Sequence, residues 1–138
     1  MDLSIAIPLF NEDESLPHLM KWIEKVMQAN NYSYEVIMVD DGSTDDSWEV
    51  IQALSKNNNA VKGIRFQRNY GKSAALNEAF KAAQGDVIIT MKTNALYCII
   101  FFAKCLYNFP RVIGAAIIYH YNFVAVIVCL HYFFYPFH

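Results

Sequence analysis

The hydrophobic and polar positions of the first 91 residues alternate between two periods. Short apolar runs are typical of buried strands, and they occur at residues 3–9, 34–39, 61–66 and 87–91. Three segments between these runs carry apolar residues at helical spacing: 16–29, 47–56 and 72–84. Asparagines follow the first two, and Gly85 follows the third. The pattern therefore predicts four strands separated by three helices.

Strands that alternate with helices of this length favour one fold class. A helical crossover between two strands joins them in parallel, so we predict an α/β fold with a parallel sheet and helices on both faces. In such sheets, ligands bind at the carboxyl ends of the strands. The loops at those ends are residues 8–14, 40–46 and 67–72, and whatever follows Met91.

The charges divide the chain into two segments. The 138 residues, with a formal net charge of -2, give no electrostatic reason to expect a nucleic-acid partner. Residues 1–91 hold eight basic and all thirteen acidic side chains, a net charge of -5, whereas residues 92–138 hold three basic ones, a net charge of +3. We therefore interpret residues 1–91 and 92–138 as separate segments.

The first residues lack the features of a secretory signal. The second residue, Asp2, is acidic. The apolar run that follows is short and has no basic region before it. Cysteines occur only at positions 98, 105 and 129, which agrees with a reducing compartment. We predict a cytoplasmic location, or one at the cytoplasmic face of a membrane.

Two adjacent carboxylates follow the second predicted strand. Asp40 and Asp41 can accept hydrogen bonds from a ribose or from the imino N–H of a base, and Ser43 or Thr44 can cap the next helix. The alternative is that Asp40 merely ends the strand and Asp45 caps the helix.

A second candidate site precedes the third predicted helix. Residues 68–73 (RNYGKS) place two cations at a helix start, where an anion can bind. The alternative is a pair of solvated cations near a turn. Neither a Walker loop nor a Gly-x-Gly-x-x-Gly motif is present, so kinase and dehydrogenase functions are excluded.

Three motifs together resemble a known family. They are residues 7–12 (IPLFNE), 39–45 (VDDGSTD) and 68–72 (RNYGK), the last leading through 74–77 (AALN) to 83–86 (AQGD). In order and spacing they resemble the family 2 glycosyltransferases, and most closely the dolichol-phosphate or undecaprenyl-phosphate sugar transferases. The resemblance covers residues 3–91. It implies a GT-A fold, a UDP- or GDP-linked sugar donor, Mg²⁺ or Mn²⁺, and inverting transfer to a lipid phosphate or other acceptor.

The resemblance also implies roles for individual residues. Pro8, Phe10 and Glu12 match family positions that line the nucleotide, and Val39 and Asp41 match positions beside the base and ribose. Further contacts at Asp40, Arg68 and Lys72 follow from the same motifs.

The resemblance ends after the fourth predicted strand. The family pattern has Asp-x-Asp at this point, two carboxylates that hold the metal and the donor, whereas this chain has Lys92-Thr93-Asn94. No Asp or Glu follows Asp86, so residues 92–138 contain neither metal carboxylates nor a carboxylate base. We therefore predict no catalytic residues, no metal for this chain, and an inactive fragment.

The segment 92–138 admits three interpretations. Residues 112–130 carry no charge and are long enough for a membrane helix, although His120 and Asn122 would be costly there. The abrupt loss of the family pattern also suits a frame-shifted or truncated gene, and a packed soluble extension is the third alternative. The cysteines and histidines of this segment lack zinc-ligand spacing.

These observations lead to one functional hypothesis and two alternatives. The first is the nucleotide-sugar-binding half of a glycosyltransferase that cannot transfer sugar by itself. The alternatives are a non-catalytic nucleotide-binding module and a membrane-associated scaffold protein.

Overall fold

The computed structural model describes residues 1–91, Thr93 and the strand residues 118–121, 124–127 and 129–130. Along the chain, the elements are β1 (Leu3–Leu9), α1 (Leu16–Asn30), β2 (Tyr34–Asp40), α2 (Ser47–Asn57), β3 (Val61–Arg65), α3 (Lys72–Ala82), β4 (Val87–Thr90), β5 (Ile118–Tyr121), β6 (Val124–Ile127) and β7 (Cys129–Leu130). The four strands and three helices predicted for the first 91 residues are confirmed.

The main sheet has the strand order β3-β2-β1-β4-β7. Strands β1 to β4 run parallel, as predicted, and β7 pairs with β4 in the antiparallel direction. The register places Leu9 beside Asp40 and Asp40 beside Arg65. The carboxyl ends of β1, β2 and β3 therefore lie next to one another at one edge of the sheet.

Helices cover both faces of the sheet, which confirms the predicted layers. On one face, α1 and α2 pack against Ile5, Ile7 and Met38 through buried side chains that include Ile23 and Ile51. On the other face α3 contributes small side chains, and the residues of this second cluster are Ala6, Ile37, Val39, Ala75, Ala79 and Ile88. Burial of each large aliphatic side chain stabilises the fold by about 1.5–3 kcal/mol.

The start of α2 differs from the prediction that Ser43 or Thr44 caps it. The helix begins at Ser47, and Asp46 is its N-cap residue without a side-chain capping bond. Ser43 and Thr44 are instead bound to Asn11 of the preceding loop. The helix therefore begins after residues 45 and 46, two residues later than a cap at Thr44 would place it.

The end of α3 comes two residues before the predicted end. Ala83 has an extended backbone, and the N–H groups of Gln84 and Gly85 donate to the hydroxyl oxygen of Ser4 at 3.2 and 2.8 Å. A Cβ on Gly85 would lie 2.5 Å from the backbone nitrogen of Ser4. Contact with β1 thus ends the helix at Ala82.

A buried carboxylate secures this same turn. The side chain of Glu35 is 1% exposed; its Oε1 accepts the hydroxyl of Ser4 and the N–H of Gln84, each at 2.6 Å, and its Oε2 accepts Nζ of Lys62 at 2.7 Å. Burial by itself would raise the pKa of Glu35, but these partners outweigh it and hold the pKa below its usual value of 4.5. The network therefore stabilises the charged form of a buried acid.

The described part of the tail is strand. β5 and β6 pair in the antiparallel direction, and β7 lies at the β4 edge. Among the helices that the structure describes, none has the length and apolar composition to cross a membrane. The remainder of the 112–130 segment lies outside the described residues, and the interpretations of the tail stay predictions.

Candidate functional site

Three loops meet at the carboxyl edge of the sheet. They follow β1, β2 and β3 and comprise residues 10–15, 41–46 and 66–71. Adjacent parallel strands bring these loops together, as the sequence pattern predicts. The candidate residues Phe10, Asp41 and Arg68 belong one to each loop.

Hydrogen bonds join the first loop to the second. The N–H of Asn11 donates to Oγ of Ser43 at 2.9 Å, and Oδ1 of Asn11 accepts the N–H of Thr44 at 2.9 Å. The N–H of Glu12 donates to Oγ of Ser47 at 2.8 Å. Asn11 has a positive φ of 53°, a conformation that asparagine tolerates better than most residues. These contacts hold the two loops in one arrangement.

Asp45 adds a charged contact to the same junction. Its Oδ1 accepts the N–H of Ser47 at 3.0 Å, and its Oδ2 accepts the N–H of Asp13 at 3.3 Å. Burial would raise the pKa of Asp45, but the hydrogen bonds with Ser47 and Asp13 lower it overall. The carboxylate therefore orders the turn before α2 in its ionised form.

Asp41 joins the second loop to the third. Its Oδ1 accepts the N–H of Tyr70 at 2.7 Å, and its Oδ2 accepts the N–H of Gly71 at 3.0 Å. Gly42 lies against the same loop, because a Cβ at this position would be 2.5 Å from the carbonyl carbon of Arg68. The buried Asp41 carboxylate thus places the loop that leads into α3.

Asp40 is the last residue of β2. It is fully buried, and its Oδ1 accepts the N–H of Ser43 at 2.8 Å. Its Oδ2 lies 3.7 Å from Nε of Arg65 and has no hydrogen-bond partner among the described residues. A cavity of about 350 Å³ opens next to Arg65, and its lining residues are Gly42, Ser43, Arg65, Phe66 and Gln67.

The other predicted nucleotide-lining residues differ in accessibility. Phe10 is 44% exposed at the edge, and Pro8 is partly buried. The carboxylate of Glu12 accepts the hydroxyl of Ser15 at 2.5 Å, next to the start of α1. Val39 is fully buried against α3 and lies within β2, paired with Pro8 on one side and Ile64 on the other.

The predicted cationic contacts lie on the third loop and at the start of α3. The guanidinium of Arg68 stacks over the ring of Tyr70 at 4.9 Å, and Tyr70 meets Phe66 edge to face at 5.5 Å. Lys72 is the first residue of α3 and is exposed. Both cations therefore stand near the positive end of a helix dipole.

Arg65 is a site residue that the sequence pattern did not single out. It lies beside Asp40 across the β2–β3 register, and its guanidinium lies 5.5 Å from the centre of the Trp48 ring. A cation at the end of a short predicted strand is a common feature and carries no signal by itself. Only the pairing of the strands places it over a buried carboxylate.

The residues at this edge do not fit the divalent metal of the family pattern. In the part of the chain that the structure describes, no three His, Cys, Asp or Glu side chains are grouped to hold a metal ion. The carboxylates of Glu12 and Asp41 accept hydrogen bonds within the protein, and Arg65 already supplies a positive charge to Asp40. Lys92 and Asn94 lie outside the described residues, and neither carries a carboxylate.

Comparison with protein families identifies one match over most of this region. The family described as glycosyl transferase family 2 matches residues 4–92. A relative from Pseudomonas savastanoi pv. phaseolicola, named undecaprenyl-phosphate 4-deoxy-4-formamido-L-arabinose transferase, is 40% identical over 93 residues. A protein of the same name from Aeromonas hydrophila is 39% identical over 93 residues. Each match covers 67% of this chain and 28% of the relative, so the chain spans little more than a quarter of these proteins.

Solved structures share the same architecture. S. aureus TarS 1–349 in complex with UDP-GlcNAc is 25% identical with a TM-score of 0.57, and the match covers 68% of this chain and 27% of TarS. The mannosyltransferase PcManGT from Pyrobaculum calidifontis, in complex with GDP-Man and Mn²⁺, is 22% identical with a TM-score of 0.60. That match covers 69% of this chain and 28% of PcManGT.

The sheet order, the helices on both faces and the three loops at one edge thus agree with the family match and with the structural neighbours. Residues 1–91 have the GT-A fold, and the predicted resemblance is confirmed. With its motifs placed at the carboxyl edge of that sheet, this chain belongs to glycosyl transferase family 2.

Proposed function

We propose that residues 1–91 bind the nucleoside diphosphate part of a UDP- or GDP-linked sugar. The observation that carries this proposal is the convergence of three loops at the carboxyl edge of the sheet, where a cavity of about 350 Å³ opens between the second and the third. Ligands of open α/β sheets bind at this edge, and the family match covers all three loops.

The proposed roles follow from where each side chain lies. Phe10 is exposed and can stack on the base, with Pro8 beside it on β1. The Asp41 carboxylate accepts the N–H groups of Tyr70 and Gly71 and so holds the third loop in place. We propose that Asp41 also contacts the nucleotide. We also assign Glu12 and Val39, the remaining residues of these motifs, to the nucleotide site.

The diphosphate would lie toward α3 in this arrangement. Arg68 and Lys72 are exposed near the first turn of the helix, where the helix dipole favours anions. We therefore propose that these two cations stabilise the phosphates.

The relatives are named as undecaprenyl-phosphate sugar transferases. For the intact protein we therefore propose a lipid-phosphate acceptor, transfer with inversion and action at the cytoplasmic face of a membrane.

We further propose that this chain binds the donor without transferring the sugar. Inverting transfer requires a base for the acceptor hydroxyl and a positive charge for the leaving diphosphate. Residues 92–138 contain no Asp or Glu, and the carboxylates of Glu12 and Asp41 at the edge accept hydrogen bonds within the protein. The chain would then act as a non-catalytic nucleotide-binding module.

Calorimetric titration of the full chain with UDP and with GDP tests binding. We expect one of them to bind and Phe10→Ala to weaken it about tenfold, because base–aromatic stacking contributes about 1–3 kcal/mol. Glu78→Gln on the exposed side of α3 is the control and should bind like the wild type. No heat with either nucleotide at millimolar concentration would refute the proposal and favour a scaffold function.

A transfer assay tests the proposed lack of activity. The full chain is incubated with a UDP- or GDP-linked sugar, undecaprenyl phosphate in detergent and Mn²⁺, and the lipid product is quantified. We expect no product above the protein-free reaction. Metal-dependent product formation that Asp41→Ala abolishes and Glu78→Gln preserves would contradict this expectation.

A further inference from the structure

Phe10 is an aromatic side chain that the fold keeps outside its core. It is 44% exposed, and neither of the two hydrophobic clusters that pack on the described sheet includes it. An exposed ring offers a flat apolar face to a ligand only while the loop that carries the ring stays in place. The residues next to Phe10 therefore decide whether the ring is available.

Asn11, the next residue, has a left-handed backbone with a φ of 53°. Among the described residues other than glycine, only Asn31 also has a positive φ, of 54°. Asn31 is the C-cap residue of α1, where this conformation is common, whereas Asn11 follows a strand. A left-handed residue away from a helix end persists because its surroundings hold it, and such residues are frequent at ligand sites.

The second loop holds this turn through a series of contacts. The N–H groups of Asn11 and of the two residues after it all donate to side chains of the second loop or of the first residue of α2. The acceptors are Oγ of Ser43 at 2.9 Å, Oγ of Ser47 at 2.8 Å and Oδ2 of Asp45 at 3.3 Å. In return, Oδ1 of Asn11 accepts the N–H of Thr44 at 2.9 Å. Asn11 thus binds the second loop through both its backbone and its side chain.

Two properties of Asn11 depend on its side chain. Asparagine tolerates a positive φ better than most residues, and its amide oxygen supplies the acceptor for the N–H of Thr44. Glycine would keep the first property and lose the second. A glycine substitution therefore removes the side-chain contact without straining the turn.

We propose that Asn11 is a positioning residue for the nucleotide base, an inference that rests on the nucleotide-binding function proposed above. Its side chain fixes the turn directly after Phe10 and so holds the Phe10 ring where it can stack on the base. Asn11 acts through Phe10 and needs no contact of its own with the ligand. A loop that keeps this arrangement for only about a fifth of the time binds about fivefold more weakly, because the apparent Kd rises as the competent fraction falls.

The experiment is calorimetric titration of the full chain with UDP, or with GDP if the wild type prefers it. Asn11→Gly should bind about fivefold more weakly than the wild type. Asn31→Gly is the matched control, because it makes the same change at the same φ but lies between α1 and the start of β2, at the opposite edge of the sheet. We expect Asn31→Gly to bind like the wild type.

A double-mutant cycle separates positioning of Phe10 from a direct contact. In the Phe10→Ala background, the further change Asn11→Gly should alter the affinity by less than a factor of about two, because the ring that Asn11 positions is already absent. A full fivefold loss in this background would overturn the inference. Wild-type affinity in Asn11→Gly, or an equal loss in Asn31→Gly, would also overturn it.

Hydrogen exchange checks the contact without a nucleotide. The Thr44 amide should exchange faster in Asn11→Gly than in the wild type or in Asn31→Gly, since its acceptor is lost. Unchanged exchange at Thr44 would refute the role of the Asn11 side chain. Wild-type protein that binds neither UDP nor GDP would instead refute the proposed function, and the inference with it. Thermal denaturation should place both glycine variants within a few degrees of the wild type, because glycine adopts a positive φ without strain.

Discussion

Lys62 and Glu35 form an ion pair in which a half-exposed cation neutralises a buried acid. The Nζ–Oε2 distance is 2.7 Å, and the two side chains are 44% and 1% exposed. Lys81 and Glu78 on α3 form a pair of the same length, but the side chain of Glu78 is 41% exposed. The two pairs therefore differ in burial while sharing their chemistry, which makes them a matched comparison.

We expect Glu35→Gln to lower the free energy of unfolding by about 3 kcal/mol, because removal of one partner from a buried, hydrogen-bonded pair leaves the others unsatisfied. Glu78→Gln should cost less than about 1 kcal/mol, as exposed pairs do. Urea denaturation of both variants measures the difference. Equal losses of unfolding free energy in the two variants would show that the burial of Glu35 does not increase the stabilising effect of its ion pair.

The same residue predicts a pH dependence of stability. The pKa of Glu35 is lower in the folded chain than its usual 4.5, so the folded state binds the proton more weakly than the unfolded state. Its contribution is complete above pH of about 4.5 and is lost as the pH falls through the folded pKa. Thermal denaturation between pH 3 and 6 should show a weaker acid destabilisation for Glu35→Gln than for the wild type, and parallel curves would contradict this.

Asp41→Asn should loosen the loop before α3. The amide retains one acceptor oxygen for two N–H groups, so the contact with Tyr70 or with Gly71 is lost. We expect faster hydrogen exchange at these two amides and about tenfold weaker nucleotide binding. Asp46→Asn is the matched control, because Asp46 is exposed and makes no side-chain capping bond. Unchanged exchange at residues 70 and 71 would disprove the proposed role in placing the loop.

Gly42→Ala and Gly71→Ala separate backbone strain from steric contact. Both glycines have positive φ, 76° and 94°, but a Cβ on Gly42 would lie 2.5 Å from Arg68 while a Cβ on Gly71 meets nothing within 4 Å. Gly71→Ala should cost about 1–2 kcal/mol from strain alone. Gly42→Ala should cost about 3 kcal/mol, because the overlap with backbone atoms adds to the strain. Chemical denaturation measures both, and equal costs would rule out the close approach at Gly42.

Local patterns were sufficient to predict the elements of the first 91 residues. The apolar spacing of Leu16, Leu19 and Ile23 required a helix, and the β-branched run before Asp40 required a buried strand. The loops at the carboxyl edge followed, because parallel strands joined by helices must bring these ends together. The motifs within those loops were sufficient to identify the family.

Contacts between distant residues decided the helix boundaries. Ser43 and Thr44 are good capping residues by type. Both are instead hydrogen-bonded to Asn11, which lies more than thirty residues earlier in the chain. Likewise Ser4 and Glu35 bind the N–H groups at residues 84 and 85 and so end α3 early. Local propensity cannot include such partners, because they approach only in the folded chain.

The sequence by itself determined the α/β architecture and the edge of the sheet where a ligand would bind, since both depend on periodicity and chain order. The tertiary structure alone decided what each of the two adjacent carboxylates binds. Asp41 is tied to the loop before α3, whereas Asp40 faces Arg65 with one oxygen unpartnered. The physical reason is that β2 and β3 come together only in the folded sheet, where their register places the cation Arg65 beside Asp40.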